Sequence, residues 1–173
     1  MFKVITPIVA AAALASVVVS AQPAAPTDPQ IAHIAYTAGQ LDIAAANQAL
    51  KMSKNKDVRA FADQMLKDHT AVNKQALDLC KKLGVTPEDN DTSKALTTQA
   101  DAKRAELAKL SGAAFDKAYL DNEVAYHKAV NGALETTLIP SAQNAELKSL
   151  LQTGLKLFQG HQQHAEHAVS MVK

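Results

Sequence analysis

Residues 56–83, KDVRAFADQMLKDHTAVNKQALDLCKKL, decide the fold class. Val58, Ala62, Met65, His69, Val72, Ala76, Leu79 and Leu83 recur at alternating steps of four and three. That spacing keeps side chains on one side of an α-helix and lays an apolar seam toward partner helices. Asn55 stands where a helix start needs a cap, and Gly84 stands where a helix stop needs a left-handed residue. One member of the seam, His69, is ionisable.

The same ladder recurs elsewhere. Residues 142–172 carry it as Leu147, Leu151, Gly154, Phe158, His161, Ala165, Ala168 and Val172. Residues 29–53 carry it as Ile31, Ala35, Ala38, Asp42, Ala45, Ala49 and Met52. Residues 113–138 show a broader stripe of Leu120, Glu123, Val124, His127, Val130, Leu134 and Leu138. Past the helix start at Thr27-Asp28-Pro29-Gln30, only Pro87 and Pro140 interrupt the chain, and each marks a division. A shorter helix over 93–110 ends at Ser111-Gly112 and is long enough to cross the assembly end to end. The expected fold is all-α: an antiparallel four-helix bundle with an extra crossover helix and ferritin-like connectivity, over residues 29–173. Six glycines, six prolines, no tryptophan and 4% aromatics argue against a β-sandwich or barrel.

Residues 1–21 read as a secretory signal peptide. Lys3 precedes a short apolar run from Val4 to Val19, and Val19-Ser20-Ala21 supplies small residues for cleavage. No cysteine follows the run, which excludes a lipid anchor at that point. Residues 22–28, QPAAPTD, read as a linker. The expected location is therefore periplasmic, with no transmembrane span in the mature chain and with peripheral envelope association left open. Without Lys3 the chain has 17 basic and 17 acidic residues, so it lacks the electrostatic footprint of a nucleic-acid binder. Cys80 is the single cysteine, so an intramolecular disulfide is impossible and the residue reads as packing.

Each long helix places an ionisable group within its apolar stripe, and the heights agree. Asp42 and His69 each lie 13 residues beyond the expected start of their helices, which a tight turn makes antiparallel. His127 and His161 each lie 11 residues from the expected end of theirs. At ~1.5 Å per residue these offsets match within a turn. His69, His127 and His161, with Asp42 or Glu123, would offer three imidazoles and a carboxylate to a single Zn, Cu, Ni or Fe ion. A buried His–carboxylate hydrogen-bond network that fixes helix register is the alternative. Asp68 reads as a solvated charge rather than an outer acceptor. His164 and His167 read as solvated rather than as a second, weaker surface metal site with Glu166, and Tyr119 and Tyr126 as packing.

No Glu-x-x-His occurs, so a dinuclear ferroxidase-type centre is not expected. Neither a phosphate-binding glycine loop nor G-x-S-x-G is present.

Phe61-Ala62-Asp63-Gln64-Met65, running into Lys67-Asp68-His69-Thr70-Ala71-Val72-Asn73, resembles an F-A-x-x-M…D-H-x-x-x-N helix. Leu110-Ser111-Gly112-Ala113-Ala114-Phe115-Asp116-Lys117-Ala118-Tyr119 resembles an L-S-G-x-x-F-D-x-x-Y region, followed by His127, and His161 matches a last-helix histidine. Over about residues 30–170 the chain is similar to the exported bacterial family called domain of unknown function 4142. The resemblance implies a ferritin-like bundle, export, and the label of outer-membrane protein that the family often carries; it implies no activity. Asp42 stands where the family commonly has Glu, a shorter carboxylate.

The expected function is metal binding in envelope metal handling or stress, without commitment to catalysis. Metal should leave below about pH 6 as imidazoles protonate. A structural or interaction module with an envelope protein partner is one alternative, and a ferritin-like redox enzyme is another.

Overall fold

The computed structural model describes residues 25–172, so the expected signal peptide and the first three linker residues lie outside the described residues. The elements are helices α1 (Asp28–Met52), α2 (Lys56–Leu83), α3 (Asp91–Leu107) and α4 (Gly112–Ala133). A π-helical turn, Leu134–Leu138, is followed by a short helix α5 (Ile139–Ser141) and then α6 (Ala145–Met171). All regular structure among the described residues is helical.

Local chemistry explains most of the ends. Gln30 reaches back to accept from the Thr27 backbone N–H at 3.1 Å, closing the start of α1. Asn55 accepts from Asp57 and Val58 to start α2, and Gly84 ends it with φ +64°, in the left-handed region. Asn90 and Ser93 satisfy each other's backbone donors at the start of α3. Asn144 accepts from Glu146 and Leu147 and begins α6.

One stretch departs from expectation. The helix predicted over 113–138 gives way to π-type bonding at Leu134, and α6 starts at Ala145 rather than 142. Pro140 has no N–H to give to the preceding turn, and its ring crowds the carbonyl four residues back. The backbone widens there, with Ile139 bonding to the carbonyl of Leu134.

The helices pack in a chain of neighbours: α1 against α2, α2 against α6, and α6 against α4, with α3 laid along α1. Contact between α1 and α4 is sparse by comparison. The α1–α2 pair approaches closely at Gly39, where an added Cβ would fall 2.3 Å from the Asn73 Oδ1 atom. At the far end, the Asp28 carboxylate accepts from the backbone N–H groups of Gln143 and Asn144, both at 2.8 Å. This ties the start of α1 to the entry of α6.

The apolar interior is divided in two. One cluster gathers Phe61, Met65, Phe115, Tyr119 and Leu120 with Ala45, Ala49 and Ala165. The other gathers Ile31, Ile34, Leu134, Leu138, Leu147 and Leu151. Between them, at mid-helix, lies a layer of buried polar groups. No described helix is long and apolar enough to cross a membrane.

Candidate metal centre

The polar layer consists of the residues that the sequence pattern singles out. Asp42 from α1, His69 from α2, Glu123 and His127 from α4 and His161 from α6 are all buried, with 1–3% exposure. The stripe positions bring them inward, and the matched heights bring them level. His69, His127 and His161 each place a ligand-type atom within 4.8 Å of the others, and so do Asp42, Glu123 and His127. The ring centroids of the three histidines are 5.3–5.7 Å apart.

Hydrogen bonds fix which ring atoms remain free. His127 Nδ1 lies 3.0 Å from the Glu123 carbonyl one turn back, so it carries the proton and donates, leaving Nε2 as a bare lone pair. His161 Nε2 lies 3.0 Å from Asp68 Oδ2 and donates to it, leaving Nδ1 bare. Asp68 thus acts as an acceptor behind His161, which corrects the reading of it as a solvated charge. Its ring partner comes from α6, an element that the sequence of α2 alone does not reveal.

His127 Nε2, His161 Nδ1, both nitrogens of His69, both Asp42 oxygens and Glu123 Oε2 are buried without a hydrogen-bond partner. Asp42 Oδ2 lies 3.4 Å from His69 Nε2 and 3.5 Å from His127 Nε2. Those separations exceed good hydrogen-bond lengths. They match the spacing, about 3.4 Å, of two ligand atoms held ~2.1 Å from one tetrahedral ion. The donor set of imidazoles and a carboxylate, with outer acceptors on two of the rings, fits a divalent transition metal.

Electrostatics follow from burial. His69 is pushed down to about 2 by burial, with the neighbouring His127 and His161 adding to the effect. His127 falls to about 4, again by burial, with its carbonyl contact opposing. His161 is lowered by burial against the pull of Asp68. Asp42 is raised to about 7 by burial, with the Glu123 carboxyl opposing. Glu123 is raised well above its ordinary range by burial and by the charge of Asp42. Burial therefore favours the neutral, coordinating form of His69 and His127, and it favours the protonated form of Asp42.

Other residues frame the layer. Phe158 stacks on His69, with centroids 4.8 Å apart and planes 13° from parallel. Its place in the α6 ladder, three residues before His161, was a usable sign of this. Tyr126 donates its hydroxyl to the Ala38 carbonyl at 2.8 Å, joining α4 to α1 beside the site, which is more than packing. Tyr119 packs edge-on against Phe61 and stacked on Phe115. His164 packs edge-on against Phe61, and His167 is exposed; neither joins a metal-type cluster among the described residues.

The family described as "Domain of unknown function (DUF4142)" matches residues 13–168. Among solved structures, a DUF305 fragment from Deinococcus radiodurans is similar at TM-score 0.74 and 16% identity, covering 87% of this chain and 99% of that one. A DUF305 protein from Streptomyces coelicolor, described as a candidate secreted protein, is similar at TM-score 0.65 and 11% identity, covering 79% and 87%. At such identities the likeness concerns fold. No curated protein matches the chain.

Proposed function

The chain belongs to the family described as domain of unknown function DUF4142, and we propose that it is an exported four-helix-bundle protein of ferritin-like connectivity that binds one divalent transition-metal ion. His69, His127, His161 and Asp42 would be the ligands, with Glu123 beside them. The role would lie in envelope metal handling or stress, by binding rather than turnover.

The supporting observation is the set of unpartnered polar atoms in the polar layer. Burying an unsatisfied polar atom costs roughly 1–3 kcal/mol, and seven such atoms lie in this layer, in two triads that share His127. A network that merely set helix register would satisfy them pairwise. Instead the inner atoms stand apart at 3.4–3.5 Å, while the outer nitrogens of His127 and His161 are satisfied. That division between bare inner atoms and held outer atoms is how coordinating histidines are oriented.

Elemental analysis of untagged protein from the periplasm should find about one transition-metal ion per chain, with strong loss in His69→Ala. Protein purified metal-free that takes up no Zn²⁺, Cu²⁺, Ni²⁺ or Fe²⁺ on titration would end this reading. It would leave the structural module in its place.

A further inference from the structure

The two halves of the interior are built differently. On one side of the polar layer the helices close around Phe61, Phe115 and Tyr119. On the other side the buried cluster is aliphatic, and a cavity of about 1080 Å³, partly open to solvent, runs beside it between α1 and its neighbours and past the polar layer as far as Ala45 and Arg104. Its wall is largely apolar, with Ile34, Leu134, Leu138, Leu147 and Leu151 prominent. Alanine and glycine create the space: Ala35, Ala38, Ala76 and Gly154 line it at ladder positions where larger aliphatics would fill it.

The cavity is not apolar throughout. Asp42, Glu123, His69 and His127 also line it, so it opens onto the polar layer. Asp42 Oδ1, Asp42 Oδ2 and Glu123 Oε2 are buried without a hydrogen-bond partner. A metal using one Asp42 oxygen would still leave the other and Glu123 unsatisfied. No Lys or Arg belongs to the polar layer, while the Lys103 and Arg104 that also line the cavity are paired with Glu106 and Asp101. A large apolar chamber ending in a few convergent polar groups is the form that small-molecule sites take.

We propose that this hollow half of the protein binds a single-chain aliphatic molecule whose hydrogen-bond-donating head, an amine or hydroxyl, reaches Asp42 and Glu123. The chain lies among the aliphatic side chains, and the head supplies the donors that the carboxyl oxygens lack. An alkyl carboxylate has the wrong head, because its negative charge would be buried beside Asp42 with no Lys or Arg in the layer to meet it. The proposal goes beyond metal binding and does not require it.

N-phenyl-1-naphthylamine fluorescence reads the chamber, and elemental analysis reads the metal layer separately. The probe should bind saturably at about one per chain. Dodecanol and dodecylamine should displace it at concentrations about tenfold or more below those needed for dodecanoate. Ala35→Phe should cut probe affinity about tenfold or more with metal content unchanged, and the gentler Ala76→Leu covers the case that the first variant fails to fold. Absence of saturable probe binding, equal displacement by all three heads, or unaltered binding in a folded filled variant would overturn the proposal. Probe binding in a protein that takes up no metal would sink only the metal reading.

Discussion

The Asp68 carboxylate lies 3.0 Å from Nε2 of His161 and is itself partly open to solvent, while the ring it holds is buried. It holds the tautomer that turns a bare Nδ1 inward. Asp68→Ala should weaken metal affinity about 10–100-fold. Asp68→Asn, which keeps an acceptor but loses the charge, should fall between that variant and the parent. Competition titration against a chromophoric chelator measures both, and equal affinity in all three proteins would deny Asp68 this role.

Metal should also stabilise the fold. An ion that binds only the folded chain contributes about 2.7 kcal/mol at a hundredfold excess over Kd. For a chain of this size that corresponds to a rise in Tm of about 5–10 °C. A chelator should reverse the rise, and His127→Ala should show none. Thermal melts with and without metal give the answer, and identical curves would favour the register network.

The pH dependence of the metal-free protein has two opposing parts. The unfolded chain takes up protons on His near 6.5, whereas His127 and His69 stay neutral in the fold down to about 4 and about 2. Protons therefore favour the unfolded state, and this contribution drains away as pH falls below 6.5. Asp42 works in reverse, because the fold holds its proton below about 7 while the unfolded chain holds it only below 3.8. Its contribution is fully present below 3.8 and is lost as pH rises to 7. Metal-free Asp42→Asn should thus gain stability over the parent as pH rises from 4 to 7, levelling above that. Urea melts at several pH values test the slope. A constant difference would show that Asp42 titrates normally.

Gly39→Ala should cost about 1–3 kcal/mol, because its Cβ would press into Asn73. Asn73 is held by donating to the Tyr36 carbonyl at 3.3 Å and cannot swing away without losing that bond. The double variant Gly39→Ala/Asn73→Ala should recover part of the loss, giving a measurable coupling energy. Simple additivity would show that the two residues do not meet.

The periodicity of α2 and α6 made their buried faces readable, and Asn55, Gly84 and Thr27–Gln30 made three helix ends readable. The level meeting of Asp42, His69, Glu123, His127 and His161 was also legible, because a fixed rise per residue converts sequence offsets into heights. Asp68 was misread because its partner lies 93 positions away, beyond any local pattern. The π-helical turn before Pro140 escaped for a different reason. Proline signals that a helix is disturbed but not how the backbone absorbs it. The cavity was hidden because alanine at a seam position reads equally as tight packing or as empty space.

A polar stratum that cuts the apolar interior in two also divides the molecule's resistance to opening. The aromatic half should exchange its amide hydrogens only with global unfolding, whereas the aliphatic half, bordered by the open cavity, should exchange through smaller and more frequent excursions. Breathing of that kind would widen the route by which ions and solutes reach the stratum through the cavity, while the other half stays shut.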